Sequence, residues 1–230
     1  MQNALRYTIL EASVGPIYVA YGPGGVRFVT AGRNVAAFEA DCESEVGLRP
    51  VRDPNSPADL ARRILNHFEG RRRFDGPFDL SGLTEFQQKV LAKLCEIPRG
   101  EVRPYGWVAR EIGVPDAVRA VGSACAKNPV AFLIPCHRVV RIDGHIGNYS
   151  AGGPAMKRRM LEHEGVDVAR LEGLAGRGIR FQGSRNTKIF CLPTCHSMRH
   201  MHLENMVFFP SSVEAEAKGY RPCKLCRPAA

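Results

Sequence analysis

The chain has 230 residues, long for one small domain and short for two average ones, and 44% of it is hydrophobic, enough to build a packed core. No apolar run approaches the roughly 20 residues of a membrane span, and the start MQNALRYTILEAS lacks the basic-then-apolar layout of a secretory signal, which predicts a cytoplasmic, nucleoid-associated protein with no membrane partner. Residues 1–80 hold ten Arg and no Lys against ten Asp and Glu, so the whole formal charge of +9 falls in residues 81–230, as a chain with an anionic partner such as nucleic acid would place it.

In chain order, TILEASVGPIYVAYGPGGVRFVTAG reads as apolar, β-branched strands broken by Gly-Pro and Gly-Gly turns. A helix is predicted around Ala58–Gly70, where Leu60, Ile64, Leu65 and Phe68 recur at helical spacing. From Thr84, a plausible N-cap, the run TEFQQKVLAKLCEI puts Phe86, Val90, Leu91, Leu94 and Cys95 on one helical face. YGWVAREIGVPDAVRAVGSACAKN then gives a short helix, a turn carrying Gly113 and Pro115, and a second helix from near Asp116. That second helix is built of small residues (Ala117, Ala120, Gly122, Ser123, Ala124, Ala126), and a helix-turn-helix fits the layout. Small side chains permit either close helix packing or close approach to DNA, with Arg119 able to reach into a duplex. Residues 166–187 are rich in Gly and Arg and weakly periodic, so 169–180 is expected as a linker.

Eight cysteines divide into two groups. Cys42, Cys95, Cys125 and Cys136 are scattered, whereas CLPTC and CKLC supply Cys191, Cys195, Cys223 and Cys226 as C-x3-C and C-x2-C pairs with 27 residues between Cys195 and Cys223. Two close pairs without a signal peptide favour one tetrahedral Zn2+ over disulfides. His196, His200 and His202 are rival ligands, but they crowd one pair and four cysteines already complete a site. The intervening core candidates (Leu203, Val207, Phe208, Phe209, Tyr220) are few, so the module should depend on its metal to fold.

FLIPCHRVV delivers Cys136 beside His137 at the end of an apolar stretch. A thiolate is a strong soft nucleophile, a free thiol is mostly protonated at neutral pH, and a nearby imidazole corrects that. A Cys-His neighbour pair alone is as compatible with a structural role. FLIPCHRVV, RAVGSACAKNPV and GNYSAGG in that order closely resemble the O6-alkylguanine-DNA alkyltransferase family, from FQQKV at 86 to EHEGV at 166.

The resemblance implies an α+β fold: a small N-terminal β-sheet subdomain, ribonuclease H-like, over 1–80, and a helix-turn-helix alkyltransferase subdomain over 81–168. It implies that Cys136 accepts the alkyl group from O6-alkylguanine, and from O4-alkylthymine, in double-stranded DNA, irreversibly and once per molecule. His137 would take the thiol proton through a water, and Glu164 would orient and charge-balance His137. Asn128 would hold the turn before the acceptor, and Arg119 would fill the gap left by the flipped nucleotide. Tyr105 would press the flanking phosphate and donate to the base, while Tyr149 and Ser150 would line the pocket. The protein would act as a monomer, with no cofactor for this transfer. Flipping costs about a few kcal/mol, which a close-fitting helix and phosphate contacts offset. Two departures bear on the alkyl groups accepted: one additional residue between Tyr149 and Lys157, and Ala131 where some members place proline.

The C-terminal unit, 181–230, resembles the metal-binding domain of Ada-type repair regulators in TKIFCLPTC and SVEAEAKGYRPCKLCRP. That resemblance makes Cys191 a possible second acceptor, taking methyl from a backbone phosphotriester. The alternative is a zinc-stabilised tail that only adds DNA affinity through Arg221, Lys224 and Arg227. Leu192 stands where the family commonly has arginine, HMHLEN replaces a more basic stretch, and the unit follows the alkyltransferase-like block instead of preceding an activator domain. A third possibility, a lesion-recognition protein that lacks the acceptor, is opposed by Cys136 itself.

Overall fold

The computed structural model describes residues 5–31, 34–199 and 201–228. Its first unit is a sheet ordered β3-β2-β1-β4, from β1 (Arg6–Ala12), β2 (Gly15–Gly22), β3 (Gly25–Ala31) and the two-residue β4 (Val51–Arg52). β1–β2 and β2–β3 are antiparallel hairpins, and β4 joins β1 in parallel. Alternation along the strands gives the sheet two apolar faces. Ile17, Val19, Tyr21, Val26 and Val29 enter the main core, while Tyr7, Tyr18, Ala20 and Phe28 pack on Phe38 and Cys42 of α1 (Val35–Val46). Gly25 is required where it stands: its φ is +111°, and a Cβ there would sit 2.2 Å from the Pro77 carbonyl oxygen.

Helix α1 was not expected. It is capped by the Asn34 side chain, which accepts from the Ala37 amide, and by left-handed Gly47. Only Phe38 and Cys42 of its twelve residues are buried, too few for a visible apolar stripe. Helix α2 (Ala58–Phe68) falls where the periodicity put it.

The central unit begins with α3 (Glu85–Leu94), which Thr84 caps with a full capping box through Gln87. Next come β5 (Arg103–Pro104), α4 (Tyr105–Glu111) and α5 (Val118–Ala126), the last two forming the helix-turn-helix around Gly113 at φ +82°. After α5 the chain passes through the core as Val130–Ile134, every residue of it buried. It then makes a 3-10 turn at Cys136–Arg138 and forms β6 (Val139–Val140), parallel to β5. Helix α6 (Gly153–His163) closes the unit.

The linker expected over 169–180 is instead largely helical. α7 (Val168–Gly176) is capped by Asp167 and buries Val168, Leu171, Leu174 and Ala175. Its short length and three-residue apolar spacing, interrupted by Gly173, hid it in the sequence. The C-terminal module is a four-stranded sheet ordered β10-β8-β7-β9, with β7 (Phe181–Ser184), β8 (Ile189–Cys191), β9 (Met206–Phe209), a short helix α8 (Ser212–Ala217) and β10 (Arg221–Pro222). Its core is small, centred on Phe190, Phe209 and Tyr220. A Cβ on Gly183 of β7 would come within 2.9 Å of both Phe209 and Tyr220, so glycine lets those rings meet edge to face over the strand.

Candidate active site and metal centre

Cys136 sits on the 3-10 turn with 3% of its surface exposed. Asn128, just beyond α5, fixes the approach to it. The Asn128 amide nitrogen donates to the Ile134 carbonyl (2.9 Å) and lies 3.1 Å from the Cys136 sulfur, and its oxygen accepts from the Val130 amide (3.1 Å). One side chain therefore ties both ends of the crossing segment to the nucleophile. Inside that segment Phe132 adopts φ +72°, rare for a bulky side chain. Its carbonyl is 3.2 Å from Nε2 of His67 on α2, whose Nδ1 accepts from the Phe74 amide. Burial lowers the His67 pKa to about 4, so the ring is neutral.

Burial also pushes the Cys136 thiol above its ordinary value, opposed by Asn128 and by Lys157, so the resting sulfur keeps its proton. His137 next to it is fully buried. Its Nε2 lies 3.0 Å from Glu164 Oε1, and Arg138 grips the same carboxylate with Nε at 2.7 Å and a second nitrogen at 2.7 Å. Burial alone would raise the Glu164 pKa, but His137 and Arg138 hold it well below the usual carboxylate range. Burial lowers the His137 pKa despite Glu164. A neutral imidazole facing a carboxylate must carry its proton on Nε2, which leaves Nδ1 a free acceptor. Nδ1 is buried and has no hydrogen-bond partner among the described residues.

A cavity of about 140 Å³ opens beside the sulfur, lined by Tyr105, Gly122, Cys125, Tyr149 and Ser150 among others. Burial raises the Tyr105 hydroxyl to about 12, so at neutral pH it is a donor. Tyr149 is buried against the Cys136 thiol and Ser150 is exposed at the rim. Arg119 lies in the first turn of α5, exposed and without a carboxylate partner among the described residues. Cys136, Tyr105, Tyr149 and Ser150 thus line one cavity, with Asn128 behind the sulfur, the buried His137–Glu164 pair beside it in the chain, and Arg119 on the helix that walls the cavity.

Two residues of this centre had not been singled out. Arg138 lies inside the PCHRV run and could have been suspected as a buried cation needing a carboxylate. Lys157 is fully buried, donates to the Val139 carbonyl at 2.6 Å, and has its pKa lowered by burial to about 8 against the pull of Cys136 and Cys125. Nothing in its sequence neighbourhood marks it.

The second cluster is Cys191, Cys195, Cys223 and Cys226, all buried, with the four sulfur atoms within 4.8 Å of one another. Four thiolates around one Zn2+ at about 2.3 Å would stand roughly 3.8 Å apart, so a slight contraction brings these four onto the metal. His196 and His202 are exposed and do not join the group, and His200 lies outside the described residues. The module docks on the central unit by specific bonds. The Trp107 indole donates to the Cys226 carbonyl (3.0 Å), the Val102 amide to Thr194 (2.9 Å), and the His196 amide to the buried Glu101 carboxylate (3.0 Å). Arg227 pairs with Glu111 at 2.7 Å and covers the Trp107 ring. Its guanidinium is thereby engaged within the chain although the side chain remains exposed, as Arg221 and Lys224 also are.

A nucleophilic cysteine with a tautomer-fixed histidine beside a helix-turn-helix, joined to a four-cysteine centre, defines a thiol-based group acceptor built on a DNA-binding fold. Residues 85–166 match the family described as 6-O-methylguanine DNA methyltransferase, DNA binding domain, and residues 176–229 match the metal binding domain of Ada. The chain is 38% identical over 162 residues to the methylated-DNA--protein-cysteine methyltransferase of Mycobacterium tuberculosis, covering 70% of this chain and 92% of that protein. It is 36% identical to the bifunctional transcriptional activator/DNA repair enzyme Ada of Escherichia coli, over 73% of this chain and 47% of that one. The crystal structure of Mycobacterium tuberculosis OGT in complex with DNA superposes with a TM-score of 0.59 at 33% identity, over 70% of this chain and 93% of that one. The chain belongs to the methylated-DNA--protein-cysteine methyltransferase family and carries an Ada-type zinc-binding module at residues 176–229. No helix among the described residues is long and apolar enough to cross a membrane.

Proposed function

We propose that the chain binds double-stranded DNA, draws an O6-alkylated guanine out of the stack, and moves the alkyl group irreversibly onto Cys136. The observation that carries this reading is the fixed tautomer of His137, the residue that follows Cys136: Glu164 holds the Nε2 proton and leaves Nδ1 a buried acceptor without a partner among the described residues. His137 would take the Cys136 proton at Nδ1 through a water. The sulfur then attacks the alkyl carbon, the C–O6 bond breaks, and the electron pair leaves on the guanine. Tyr105, a hydroxyl held neutral in the wall of the cavity, would donate to the departing base and favour that leaving group. Arg119, exposed near the start of α5, would occupy the space the nucleotide vacates. Tyr149 and Ser150 would border the alkyl group. O4-alkylthymine presents a comparable aryl ether and belongs to the same substrate class.

Each copy holds the complete relay within one chain, so we assign activity to the monomer, at the nucleoid. We propose units of 1–80, 81–168 and 181–230, joined through α7. In the second unit of chemistry, Cys191 would accept methyl from a backbone phosphotriester. Zinc bound by the four cysteines would keep them as thiolates. A second reading, the module as a purely structural element, is favoured by its docking through Trp107 and Glu101.

The test uses methyl-labelled duplexes with either lesion, incubated with the full chain, Cys136→Ala and Cys191→Ala, and peptide mapping of the label. Label from the base lesion is expected on Cys136 and nowhere else. Its absence there would overturn the main reading. Label on Cys191 from phosphotriester DNA alone separates the second activity from the structural alternative.

A further inference from the structure

Between the zinc module and the central unit lies a cleft of about 280 Å³, against about 140 Å³ for the cavity at Cys136. Three parts of the chain wall it: the central unit with Trp107 and Val140, helix α7 with Leu171, and the module with Leu192. These four side chains form an apolar floor. Around it stand Arg110 from α4, Arg141 from the turn after β6 and Arg180 ahead of β7, and no Asp or Glu among the described residues lines the cleft. Arg141 pairs with Asp143 at 2.6 Å, whereas Arg110 and Arg180 have no ion-pair or side-chain hydrogen-bond partner among the described residues. Glu111, which pulls on Arg110 from the next position, is itself paired with Arg227. Burial lowers the Arg110 pKa, so a partly desolvated guanidinium stands over an apolar recess without a counter-charge of its own.

The cleft is separate from both sulfur centres. Tyr105 lines the cavity at Cys136, while Trp107 and Arg110 project about 200° and 140° further round α4 and line the cleft. None of the four zinc-ligand cysteines lines it. A cation would be repelled by the rim. A DNA backbone would meet the arginines but leave the apolar recess empty. The complementary occupant has one apolar end and one negative end, and it is small, since ligand pockets run from roughly 300 to 1,000 Å³.

We propose that this interdomain cleft binds a small amphipathic monoanion, a carboxylate carrying one hydrocarbon or aryl tail. The tail would displace water from Trp107, Val140, Leu171 and Leu192, the main source of favourable free energy for such a ligand. The carboxylate would accept from Arg110 and Arg180, and the planar guanidinium of either can hold both of its oxygens at once. Arg110 thereby acquires the counter-charge that its own chain does not provide. The walls come from the central unit, α7 and the module, so an occupant ties all three together and stabilises the docked module. No bond is made or broken, and the site is independent of the roles assigned to Cys136 and Cys191.

The test is built into the floor, because Trp107 is the sole tryptophan of the chain. The zinc-loaded full chain is titrated with decanoate, below its micelle concentration, while Trp107 emission is followed. Decanol supplies the tail without the charge, and acetate the charge without the tail. Decanoate should change the emission saturably and raise the temperature of thermal unfolding, whereas acetate at the same concentrations should do neither. Binding should be weaker by about tenfold or more for decanol, and for decanoate on Arg110→Gln/Arg180→Gln that retains its zinc. Should the double variant lose zinc, Arg180→Gln, at an exposed position, carries the same comparison with a severalfold loss. No saturable response in the wild type overturns the site. Equal affinity for decanol, or unchanged decanoate affinity in the arginine variants, overturns the anionic ligand. Displacement of decanoate by an undamaged duplex would give the rim to the DNA backbone and overturn the proposal as well.

Discussion

Cys136 and the Cys191 cluster are both buried sulfur centres, and they meet the same obstacle in opposite ways. At Cys136 burial favours the thiol, so reactivity waits for a proton to leave toward a histidine that burial keeps neutral and Glu164 keeps aligned. At Cys191 four sulfurs converge within 4.8 Å, which no set of free thiolates would tolerate without a cation between them. The first centre stores its reactivity in hydrogen-bond geometry, the second in coordination. They should therefore fail under different insults.

The largest expected effect comes from chelation. Removing zinc should cost the C-terminal module stabilisation on the order of 10 kcal/mol and unfold it, read as lost amide-exchange protection over 181–228. The Cys136 relay shares no ligand with that site, so label transfer from O6-alkylguanine should persist. If base repair vanished with the metal, the two centres would not be separable in this way.

Next is Glu164→Gln. The carboxylate balances buried Arg138 and orients His137, so its loss should destabilise the central unit by about 3–5 kcal/mol in denaturant unfolding and slow Cys136 alkylation. Zinc content should not change. A stable variant with an undiminished rate would show that the relay is not what activates the thiol.

Acid gives a third contrast. The His67 pKa of about 4 in the folded protein lies below its ordinary value, so the unfolded chain binds the proton first as pH falls. The stability it contributes is complete above about pH 6.5 and is lost toward pH 4, to the extent of up to about 3 kcal/mol. His67→Gln should flatten that part of the stability profile, and an unchanged profile would remove His67 from the account.

The smallest effect sharpens the boundary between the two centres. Trp107→Phe keeps the ring but deletes the donor to the Cys226 carbonyl, and should cost about 1 kcal/mol by thermal unfolding. A null result would mean that the remaining contacts hold the module in place.

The acceptor motif and the paired cysteines were legible because each is contiguous and chemically costly to place by chance. Thr84 could be read as a cap because capping is local, three residues from donor to acceptor. Asn128, His137 and Glu164 could be placed only by family resemblance, since the contacts that define them span up to 27 residues. Lys157, Trp107 and Glu101 stayed hidden for the same reason: each side chain matters through a partner on a distant element. Helix α1 escaped because only two of its twelve residues are buried, and α7 because it is short and its apolar residues recur at three-residue spacing interrupted by Gly173. The +9 charge pointed to an anionic partner but not to which arginines face it. Arg227, counted as a DNA contact under the tail alternative, is spent on Glu111 and Trp107.

Phe132, fixed at φ +72°, extends what the first 80 residues mean for the protein. A bulky residue there relaxes unless its surroundings forbid it. Asn128 supplies part of the restraint from within the central unit, and the rest comes from outside it: His67 on the Phe132 carbonyl, and β3 through the Val29 amide on the Pro129 carbonyl at 2.8 Å. The N-terminal unit supplies none of the groups in the Cys136 relay, yet it acts as the jig in which the acceptor segment is bent. The position of the reactive sulfur is thus set in part by a region with no chemistry of its own, which also shares one hydrophobic core with the helices of the central unit.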